Sequence, residues 1–227
     1  MSERPRGLIV AIDGPSGAGK STAGRALAAR LGYVFIDTGA MYRALALKAL
    51  RRRVPLDRGR DLAELARHTR IDLVEGGFKV VLDGADVTAE IRSEEVSTAS
   101  SRVSRHPEVR RELVALQRVL GRRGAVVLDG RDIGTAVFPE AEAKFYVDAD
   151  AARRAARRRE ELSSAGADAD LAAVERDIRA RDHADSTRAD SPLTRAPDAV
   201  YIDTTELGPA EVVQKMLGVV EDRLARR

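Results

Sequence analysis

The 227-residue chain contains no cysteine and only three histidines. The absence of cysteine excludes a disulfide scaffold and any metal site with thiolate ligands. The histidines, His68, His106 and His183, stand far apart in the sequence, without the spacing that metal ligands show in zinc sites. We therefore expect no metal ion held by protein side chains alone.

Long hydrophobic runs are also missing. The longest apolar run near the start extends from Leu8 to Ile12 and ends at Asp13. It is shorter than the core of a signal peptide, about 7 to 15 residues, and shorter than a membrane span, about 20 residues. We therefore expect a cytoplasmic protein without a membrane partner.

The charges are nearly balanced. The chain has 39 basic and 36 acidic residues and a formal net charge of +3 at pH 7, a small excess for a protein whose main partner is nucleic acid. We expect no nucleic-acid partner. Most of the basic residues are arginine, whose planar guanidinium binds phosphate through two parallel hydrogen bonds. Local arginine clusters are therefore the candidates for phosphate binding.

Strand and helix signals alternate along the chain. Short apolar runs predict strands at 7–12, 34–36, 125–128, 143–147 and 199–202. Segments with helical spacing predict helices at 20–31, 41–53, 61–68, 107–120 and 151–162. Two more are predicted, one from the break at 163–169 to about 183 and one that starts at 209. This alternation predicts an α/β fold with three layers, α/β/α, around a central parallel sheet.

A second pattern interrupts this alternation. Ile71–Val74 and Phe78–Leu82 flank a Gly-Gly turn, which is typical of an antiparallel hairpin. The length of the chain fits one core with an insertion better than two domains. We therefore expect a core at 1–66 and 104–227, an insertion at 67–103, and a helical lid at 151–170 within the core.

The segment between the first strand and the first helix has the pattern of a phosphate-binding loop. Gly14 and Gly19 bracket four residues and are followed by Lys20 and Ser21. Glycine tolerates the curvature that turns backbone N–H groups toward the β-phosphate. We expect Lys20 to contact the β- and γ-phosphates and Ser21 to bind Mg²⁺. The predicted ATP-binding residues here are Gly14, Pro15, Ser16, Gly17, Ala18, Gly19, Lys20, Ser21 and Thr22.

A phosphate loop indicates a nucleotide but not a reaction. GTPases generally recognise guanine with Asn-Lys-x-Asp or Thr-Lys-x-Asp, and no lysine of this chain stands in such a motif. A mechanical ATPase or a nucleotide-gated binding module needs no acceptor site. Evidence for an acceptor site therefore counts against that alternative.

Two further strands end in candidate acceptor residues. Thr38 falls near a helix N-terminus and Arg43 about a turn and a half along that helix, a combination that can bind a second anion. Asp129 ends another strand and is predicted to hold Mg²⁺ through water, while Arg131 is predicted to bind an acceptor phosphate. The alternatives are a helix cap for Thr38, a solvated charge for Arg43, and an ion pair within the turn for Arg131.

Four segments together resemble bacterial cytidylate kinases: Gly14–Thr22, Asp37–Arg43, Gly130–Pro139 and Arg181–Leu193. The most specific are Gly-Arg-Asp-Ile-Gly-Thr-Ala-Val-Phe-Pro and Arg-Asp-His-Ala-Asp-Ser-Thr-Arg. The hairpin is similar to the enlarged monophosphate-binding domain of that family. The resemblance implies transfer of a phosphoryl group from Mg-ATP to CMP or dCMP, giving ADP and CDP or dCDP, in pyrimidine nucleotide metabolism.

The resemblance also implies roles for individual residues. Those expected to hold the phosphate of CMP are Thr38, Arg43 and Arg131. Those expected to contact the cytosine are Ser101, Arg110 and Asp132. Those expected to contact the sugar and the reacting phosphates are Arg181, Asp185 and Arg188. The catalytic cations would be Lys20, Arg131, Arg181 and Arg188. Ser100 is an alternative to Ser101 for the same contact.

The segment Ala151–Leu162 is rich in arginine and is followed by a break at Ser163–Ala169. It resembles the lid of the family, and Arg157 and Arg158 are expected to reach ATP. A solvated arginine face is the alternative. We expect no general base, because a phosphate oxygen of the acceptor is already ionised and phosphoryl transfer depends on positioning and electrostatics. We expect a monomer whose partners are ATP and CMP or dCMP.

Overall fold

The computed structural model describes residues 7–164 and 170–226. The strands in these ranges are β1 (Ile9–Asp13), β2 (Val34–Asp37), β3 (Ile71–Val74), β4 (Lys79–Leu82), β5 (Ala85–Asp86), β6 (Val126–Gly130), β7 (Ala143–Asp148) and β8 (Val200–Asp203). The α-helices are α1 (Lys20–Leu31), α2 (Thr38–Arg51), α3 (Gly59–Arg67), α4 (Glu94–Val103), α5 (Pro107–Gly121), α6 (Ala151–Ser164), α7 (Leu171–Thr187) and α8 (Pro209–Ala225). None of the described helices combines the length and hydrophobicity needed to cross a membrane.

Five strands form the predicted parallel sheet, in the order β2-β6-β1-β7-β8. Its central strand β1 is a continuous apolar run, as expected of a parallel strand covered on both faces. The register pairs Asp13 with Gly130 and Asp37 with Asp129. The carboxyl ends of β1, β2 and β6 therefore finish at the same level, side by side.

Helices cover both faces of this sheet, which confirms the predicted α/β/α layers. On one face, α1 and α8 pack against the sheet through a cluster that includes Leu27, Phe145 and Met216. On the other face, α2 and α5 join a larger cluster that includes Leu45 and Leu113. The sheet is thus rigidly supported behind the strand ends.

Helix α2 begins at Thr38, three residues before the predicted start at Met41. Asp37 is the reason, because its Oδ1 accepts a hydrogen bond from the Ala40 amide at 2.8 Å and so caps the helix. The sequence pattern placed Asp37 after the strand predicted at 34–36 and gave it no capping role. The predicted boundary was therefore wrong, although the helix itself was expected.

The antiparallel hairpin is present, and β5 extends it to a three-stranded sheet in the order β3-β4-β5. In its turn, Gly77 has a φ of 87°, and an ideal Cβ there would lie 2.3 Å from the carbonyl oxygen of Phe35. The turn therefore lies directly against β2, the edge strand of the large sheet. Apolar residues of the hairpin, such as Ile71 and Leu82, share the α2 cluster. The division into core and insertion stays a prediction.

Helix α4 was not predicted. Its sequence is rich in serine and threonine, which favour caps and turns over helix interiors. Ser93 accepts a hydrogen bond from the Val96 amide at 3.4 Å and caps the helix. Val96, Ala99 and Val103 are buried in the cluster shared with α2, so tertiary packing stabilises a helix that its own composition does not favour.

Candidate active site

The segment Gly14–Ser21, here named the phosphate loop, turns sharply between β1 and α1. Gly14, Gly17 and Gly19 have φ values of 145°, 76° and 86°, which L-residues with side chains rarely adopt. Space is also limiting. An ideal Cβ on Gly14 would lie 1.9 Å from the Val147 carbonyl oxygen, and one on Gly17 would lie 3.0 Å from Cβ of Arg154. The loop therefore requires glycine for its backbone and for its packing.

Lys20 is the first residue of α1 and is only 6% exposed. Its Nζ donates a hydrogen bond to the Pro15 carbonyl at 2.6 Å. Burial lowers the pKa of Lys20 to about 7; Arg131 adds to this lowering and Asp129 opposes it. A phosphate bound in the loop would place negative charge beside the buried Lys20 ammonium and so stabilise its charged form.

Ser21 and Asp129 meet at the end of β6, where the Ser21 hydroxyl donates to Oδ2 of Asp129. Burial of Asp129, with Asp37 nearby, raises its pKa to about 6 against the opposing effect of Lys20. A hydroxyl and a carboxylate are the hard oxygen ligands that Mg²⁺ prefers. The donor chemistry of this pair therefore fits the predicted Mg²⁺ site.

Thr38 is buried at the start of α2, and its Oγ1 donates to the backbone carbonyl of Asp129 at 2.6 Å. The cap of α2 is the neighbouring residue Asp37. The alternative interpretation of Thr38 as a helix cap is therefore wrong. Its hydroxyl connects the start of α2 to the end of β6.

Arg43 also points toward the end of β2. Its Nη2 lies 3.1 Å from Oδ2 of Asp37, and Arg25 approaches the same oxygen at 3.5 Å. Burial disfavours the charge of Asp37, but Arg43, the Ala40 amide and Arg25 outweigh it and hold the pKa of Asp37 below its usual value. The Arg43 side chain is 26% exposed, so the interpretation as a solvated surface charge is wrong.

Arg131 follows β6 and pairs with a residue distant in the sequence. Its Nε donates to Oδ2 of Asp185 on α7 at 2.9 Å, across 54 residues. The interpretation as an ion pair within the turn is therefore wrong. Burial opposes the charge of Arg131, but Asp185 outweighs it and raises the pKa of Arg131. This pair links the end of the sheet to the α6–α7 region.

Three of the predicted substrate residues form a buried charged cluster. Oδ2 of Asp132 accepts a hydrogen bond from Nη2 of Arg110, and its Oδ1 lies 3.6 Å from Nη2 of Arg188. Arg110 also donates to the Tyr42 hydroxyl at 3.4 Å and lies 3.3 Å from Asp190 through Nε. The fold thus gathers side chains from α2, α5, the end of β6 and the segment after α7.

The predicted substrate residues Ser101 and Arg181 also lie outside this cluster. Ser101 lies on α4, and its side chain has no hydrogen bond to any described residue, while its backbone carbonyl accepts one from the Ser104 hydroxyl at 3.1 Å. Arg181 lies on α7, where burial and the nearby Arg158 lower its pKa. Arg181, Arg158 and Ser16 line one cavity of about 210 Å³, next to the phosphate loop.

Helices α6 and α7 pack together through a small apolar cluster that includes Ala155 and Ile178. Arg157 donates to Thr204 twice, to Oγ1 at 2.9 Å and to the carbonyl at 2.6 Å. Arg158 pairs with Glu161 at 3.0 Å. Residues 165–169 of the predicted break lie outside the described residues, and the lid remains a prediction.

Sequence reasoning missed Arg154 as a partner of the phosphate loop. It is 7% exposed, and its Nη1 donates to the Ser16 carbonyl at 3.1 Å and to Asp182 of α7 at 2.5 Å. Nothing in the sequence distinguishes it from the other arginines of α6, because its burial depends on how α6 lies against the loop. Arg154 thereby ties both helices to the phosphate loop.

Sequence reasoning also missed Asp13, the last residue of β1. Its two carboxylate oxygens accept hydrogen bonds from the amides of Ile133 and Gly134. Burial raises its pKa to about 6, against the opposing effect of these amides. The signal was available, since Asp13 follows the apolar residues of β1 next to the phosphate loop, just as Asp129 follows the apolar residues of β6.

Comparison with known proteins gives a consistent result. The family model described as cytidylate kinase matches residues 10–222. Over 220 residues the chain is 50% identical to a cytidylate kinase of Symbiobacterium thermophilum, covering 96% of this chain and 97% of that protein. A cytidylate kinase of Desulfitobacterium hafniense is 49% identical over 220 residues, covering 96% and 95%. A cytidylate kinase of Pelotomaculum thermopropionicum is 51% identical over 211 residues, covering 92% and 93%.

Proposed function

The chain belongs to the cytidylate kinase family, and we propose that the ends of β1, β2 and β6 form its donor and acceptor sites. The enzyme transfers a phosphoryl group from ATP to CMP or dCMP, giving ADP and CDP or dCDP. The predicted family, fold class and activity are thereby confirmed. Its cytoplasmic location and monomeric state stay predictions from the sequence.

One observation supports the placement of the two sites more than any other. The register pairs Asp13 with Gly130 and Asp37 with Asp129, so three strand ends lie at one level. The phosphate loop follows the first of these ends, α2 follows the second, and Arg131 follows the third. Ligands of open parallel sheets bind beyond such carboxyl ends, and two phosphate sites here would be neighbours.

The donor site is the phosphate loop with Thr22, the next residue of α1. Its glycines allow backbone N–H groups to surround a phosphate, and the N-terminus of α1 adds a positive partial charge. Lys20 would contact the β- and γ-phosphates of ATP. Bound phosphate would offset the burial of this ammonium and raise the pKa of Lys20 from its lowered value.

Ser21 and Asp129 would hold Mg²⁺ with the bound ATP, Asp129 acting through a water molecule. When bound, Mg²⁺ neutralises charge on the β- and γ-phosphates. The hydrogen bond between Ser21 and Asp129 keeps these two oxygen ligands close together beside Lys20. Burial raises the pKa of Asp129 because it disfavours the charged carboxylate. A bound cation would stabilise that charged form.

The acceptor phosphate would be held by Thr38, Arg43 and Arg131. Both arginines already face carboxylates, Asp37 and Asp185, which shows that an anion is favoured at each guanidinium. A phosphate offers more charge and more acceptor oxygens than one carboxylate. The N–H groups at the start of α2 add to the same site.

The cytosine would be recognised by Asp132, Arg110 and Ser101. Cytosine carries an amino donor beside the N3 and O2 acceptors, so a carboxylate complements the amino group, and Arg or Ser donors complement the acceptors. The buried pairing of Asp132 with Arg110 supports a rigid pair of this kind. Ser101 would complete the set from α4.

The remaining charged residues would act on the sugar and the reacting phosphates. Arg181, Asp185 and Arg188 come from α7 and its C-terminal end, and Arg157 and Arg158 from α6 would contact ATP when the lid closes. The cavity beside Ser16 is lined by Arg158 and Arg181, which supports access of these two cations to the phosphates. Catalysis then depends on fixed positive charge and on positioning, and the acceptor oxygen needs no base.

A coupled assay of ADP release tests the function directly, with Mg-ATP against CMP, dCMP, UMP, AMP and dTMP. We expect CMP and dCMP to be the best acceptors. Release of ADP without any acceptor would favour an ATPase, and a preference for UMP or AMP would refute the proposed cytosine site.

The acceptor assignment is tested with Arg131→Ala. The KM for CMP should rise while the dissociation constant of ATP stays nearly unchanged, because Arg131 lies after β6 and not in the phosphate loop. Arg176→Ala, at an exposed position of α7, is the matched control. Equal loss of both ligands would indicate a structural role for Arg131.

A further inference from the structure

Asp13 occupies the junction between the two proposed phosphate sites. It ends β1, and the next residue, Gly14, begins the phosphate loop. Its side chain is directed across the sheet, toward the segment that follows β6. Oδ1 accepts the Ile133 amide at 2.7 Å, and Oδ2 accepts the Gly134 amide at 2.8 Å. Asp13 is only 4% exposed, and each of its carboxylate oxygens thus accepts a hydrogen bond from one of two successive backbone amides.

These amides begin a single helical turn, Ile133–Val137, of the π type. The first amides of any helical turn have no partner within it and need an acceptor from elsewhere. The residue at the usual capping position is Asp132, but its side chain does not cap the turn. The Asp132 carboxylate faces Arg110 and Arg188 instead. Asp13 therefore supplies the cap and leaves Asp132 available to the buried cluster.

The packing around this contact is tight. An ideal Cβ on Gly134 would lie 3.1 Å from Cδ of Lys144 and 3.4 Å from Oδ2 of Asp13. The turn Ile133–Val137 therefore lies directly against Asp13 at the end of β1 and against the Lys144 side chain of β7. A shift of the Asp13 carboxylate would be passed to the turn and to the two residues before it, Arg131 and Asp132.

We propose that Asp13 is a positioning residue for the acceptor. By capping the turn Ile133–Val137, it fixes Arg131 and Asp132 relative to the phosphate loop that starts at the next residue. It thus sets the distance between acceptor and donor phosphates, on which the rate of an in-line transfer depends. The inference rests on the proposed roles of Arg131 and Asp132 in binding CMP.

Asp13→Asn tests this proposal with almost no change of volume. The amide keeps one acceptor oxygen, but its NH₂ group faces an N–H donor that needs an acceptor. Losing a hydrogen bond to a charged group corresponds to about a tenfold effect or more, so the KM for CMP should rise by about that factor. The preference for CMP over UMP should fall as well. The dissociation constant of ATP should change less, because the Asp13 carboxylate has no hydrogen bond to the phosphate loop in the described structure and its charge acts on Lys20 less than that of Asp129 does.

Asp203→Asn is the matched control. Asp203 ends β8 of the same sheet, and its Oδ1 accepts two hydrogen bonds from Thr205, one from the amide at 2.8 Å and one from the hydroxyl at 2.6 Å. It is exposed and distant in the sheet from β6. The KM for CMP should be unchanged in this variant.

Positioning is separated from a general structural role by combining Asp13→Asn with Arg131→Ala. If Asp13 acts through the segment that carries Arg131, the KM effect of Asp13→Asn is smaller in the Arg131→Ala background than in the wild type. Additive effects on the KM, or equal damage to ATP binding, would overturn the proposal. By contrast, wild-type protein that fails to phosphorylate CMP, or Arg131→Ala without any effect, would overturn the proposed function itself.

Gly134→Ala keeps the proposal testable if Asp13→Asn does not fold. The added methyl group would crowd the Lys144 side chain at 3.1 Å and contact the Asp13 carboxylate at 3.4 Å, without removing a charge. The KM for CMP should rise more than the dissociation constant of ATP. A variant with both constants unchanged, or with both changed equally, would overturn the positioning role.

Discussion

Replacing Lys20 with Met should slow phosphoryl transfer by at least about a hundredfold and at the same time stabilise the protein without its ligands. Lys20 is 6% exposed, and burial with the nearby Arg131 lowers its pKa from 10.5 to about 7. The fold therefore disfavours the charged form of this side chain. Asp129, Asp13 and Asp185 oppose the lowering without cancelling it.

The magnitude follows from the difference between the two pKa values. Each pKa unit corresponds to about 1.4 kcal/mol, so lowering the Lys20 pKa from 10.5 to about 7 destabilises the fold by roughly 4 kcal/mol at pH 7. This destabilisation is complete below the folded pKa, and it disappears as the pH rises toward 10.5, where the unfolded chain also loses the proton. Met removes the charge but also the hydrogen bond to Pro15, which contributes about 1 kcal/mol.

The net expectation is a gain of about 3 kcal/mol near pH 7. At about 2 to 4 °C per kcal/mol for a chain of this size, the Tm should rise by roughly 10 °C. The gain should shrink with rising pH and become a small loss near pH 10.5, because only the missing hydrogen bond then remains. Thermal unfolding without nucleotide or Mg²⁺, measured between these pH values, checks both the size and the sign.

Activity should change in the opposite direction. Loss of one preorganised charge donor corresponds to roughly 3 kcal/mol of transition-state stabilisation, or at least about a hundredfold in rate. Lys215→Met, on the exposed side of α8, is the matched control and should change neither quantity. A Lys20→Met protein that is less stable than wild type at pH 7, or whose gain does not depend on pH, would refute the reasoning.

Three further predictions concern the acceptor site and the lid. Asp132→Asn should reduce the ratio of kcat/KM for CMP over UMP by about tenfold, since one base contact contributes roughly 1 to 3 kcal/mol of discrimination; an unchanged ratio in steady-state kinetics would contradict the cytosine assignment. Asp132→Ala should lower the free energy of unfolding by about 3 to 5 kcal/mol, because Arg110 and Arg188 would stay buried without their shared carboxylate, whereas Asp190→Ala, at a side chain 43% exposed, should have a much smaller effect in chemical denaturation. Amide hydrogen exchange across Ala151–Ser164 should slow only when both nucleotides are bound, and unchanged exchange would indicate a static charged helix.

The large sheet could be predicted because its signals are local. Each parallel strand is a short apolar run; β1 ends in Asp13, and Asp129 is the next-to-last residue of β6. The phosphate loop adds a motif that itself requires a strand before it and a helix after it. Helix α4 has no such signal, because its serines and threonine are stabilised in a helix only by packing on α2. Its existence depends on contacts distant in the sequence.

The residues of the candidate site also divide into those with a local sequence signal and those without one. Lys20 and Ser21 could be assigned from one motif, since the spacing alone determines their positions. The partner of Arg131 could not be assigned, because Asp185 lies 54 residues further along the chain and meets it only after α7 has packed. Arg154 is buried while its neighbour Arg153 is exposed, and no property of the sequence separates these two arginines.

Three aspartates lie at the carboxyl ends of β1, β2 and β6, with Asp37 and Asp129 paired in register and Asp13 one position further along. Their partners differ. Asp13 binds backbone amides, Asp37 binds the α2 amide and Arg43, and Asp129 binds Ser21. Of these, only Asp37 has its pKa lowered. Its ion pairs with Arg43 and Arg25 and the Ala40 amide outweigh its burial, whereas burial raises the pKa of Asp13 and Asp129 to about 6. The acceptor phosphate would therefore compete with Asp37 for Arg43. Because Asp37 also caps α2, binding of the acceptor would not release this carboxylate into solvent. Asp37 would still be held by the helix amide, and the exchange of partners at Arg43 would need only a movement of the guanidinium.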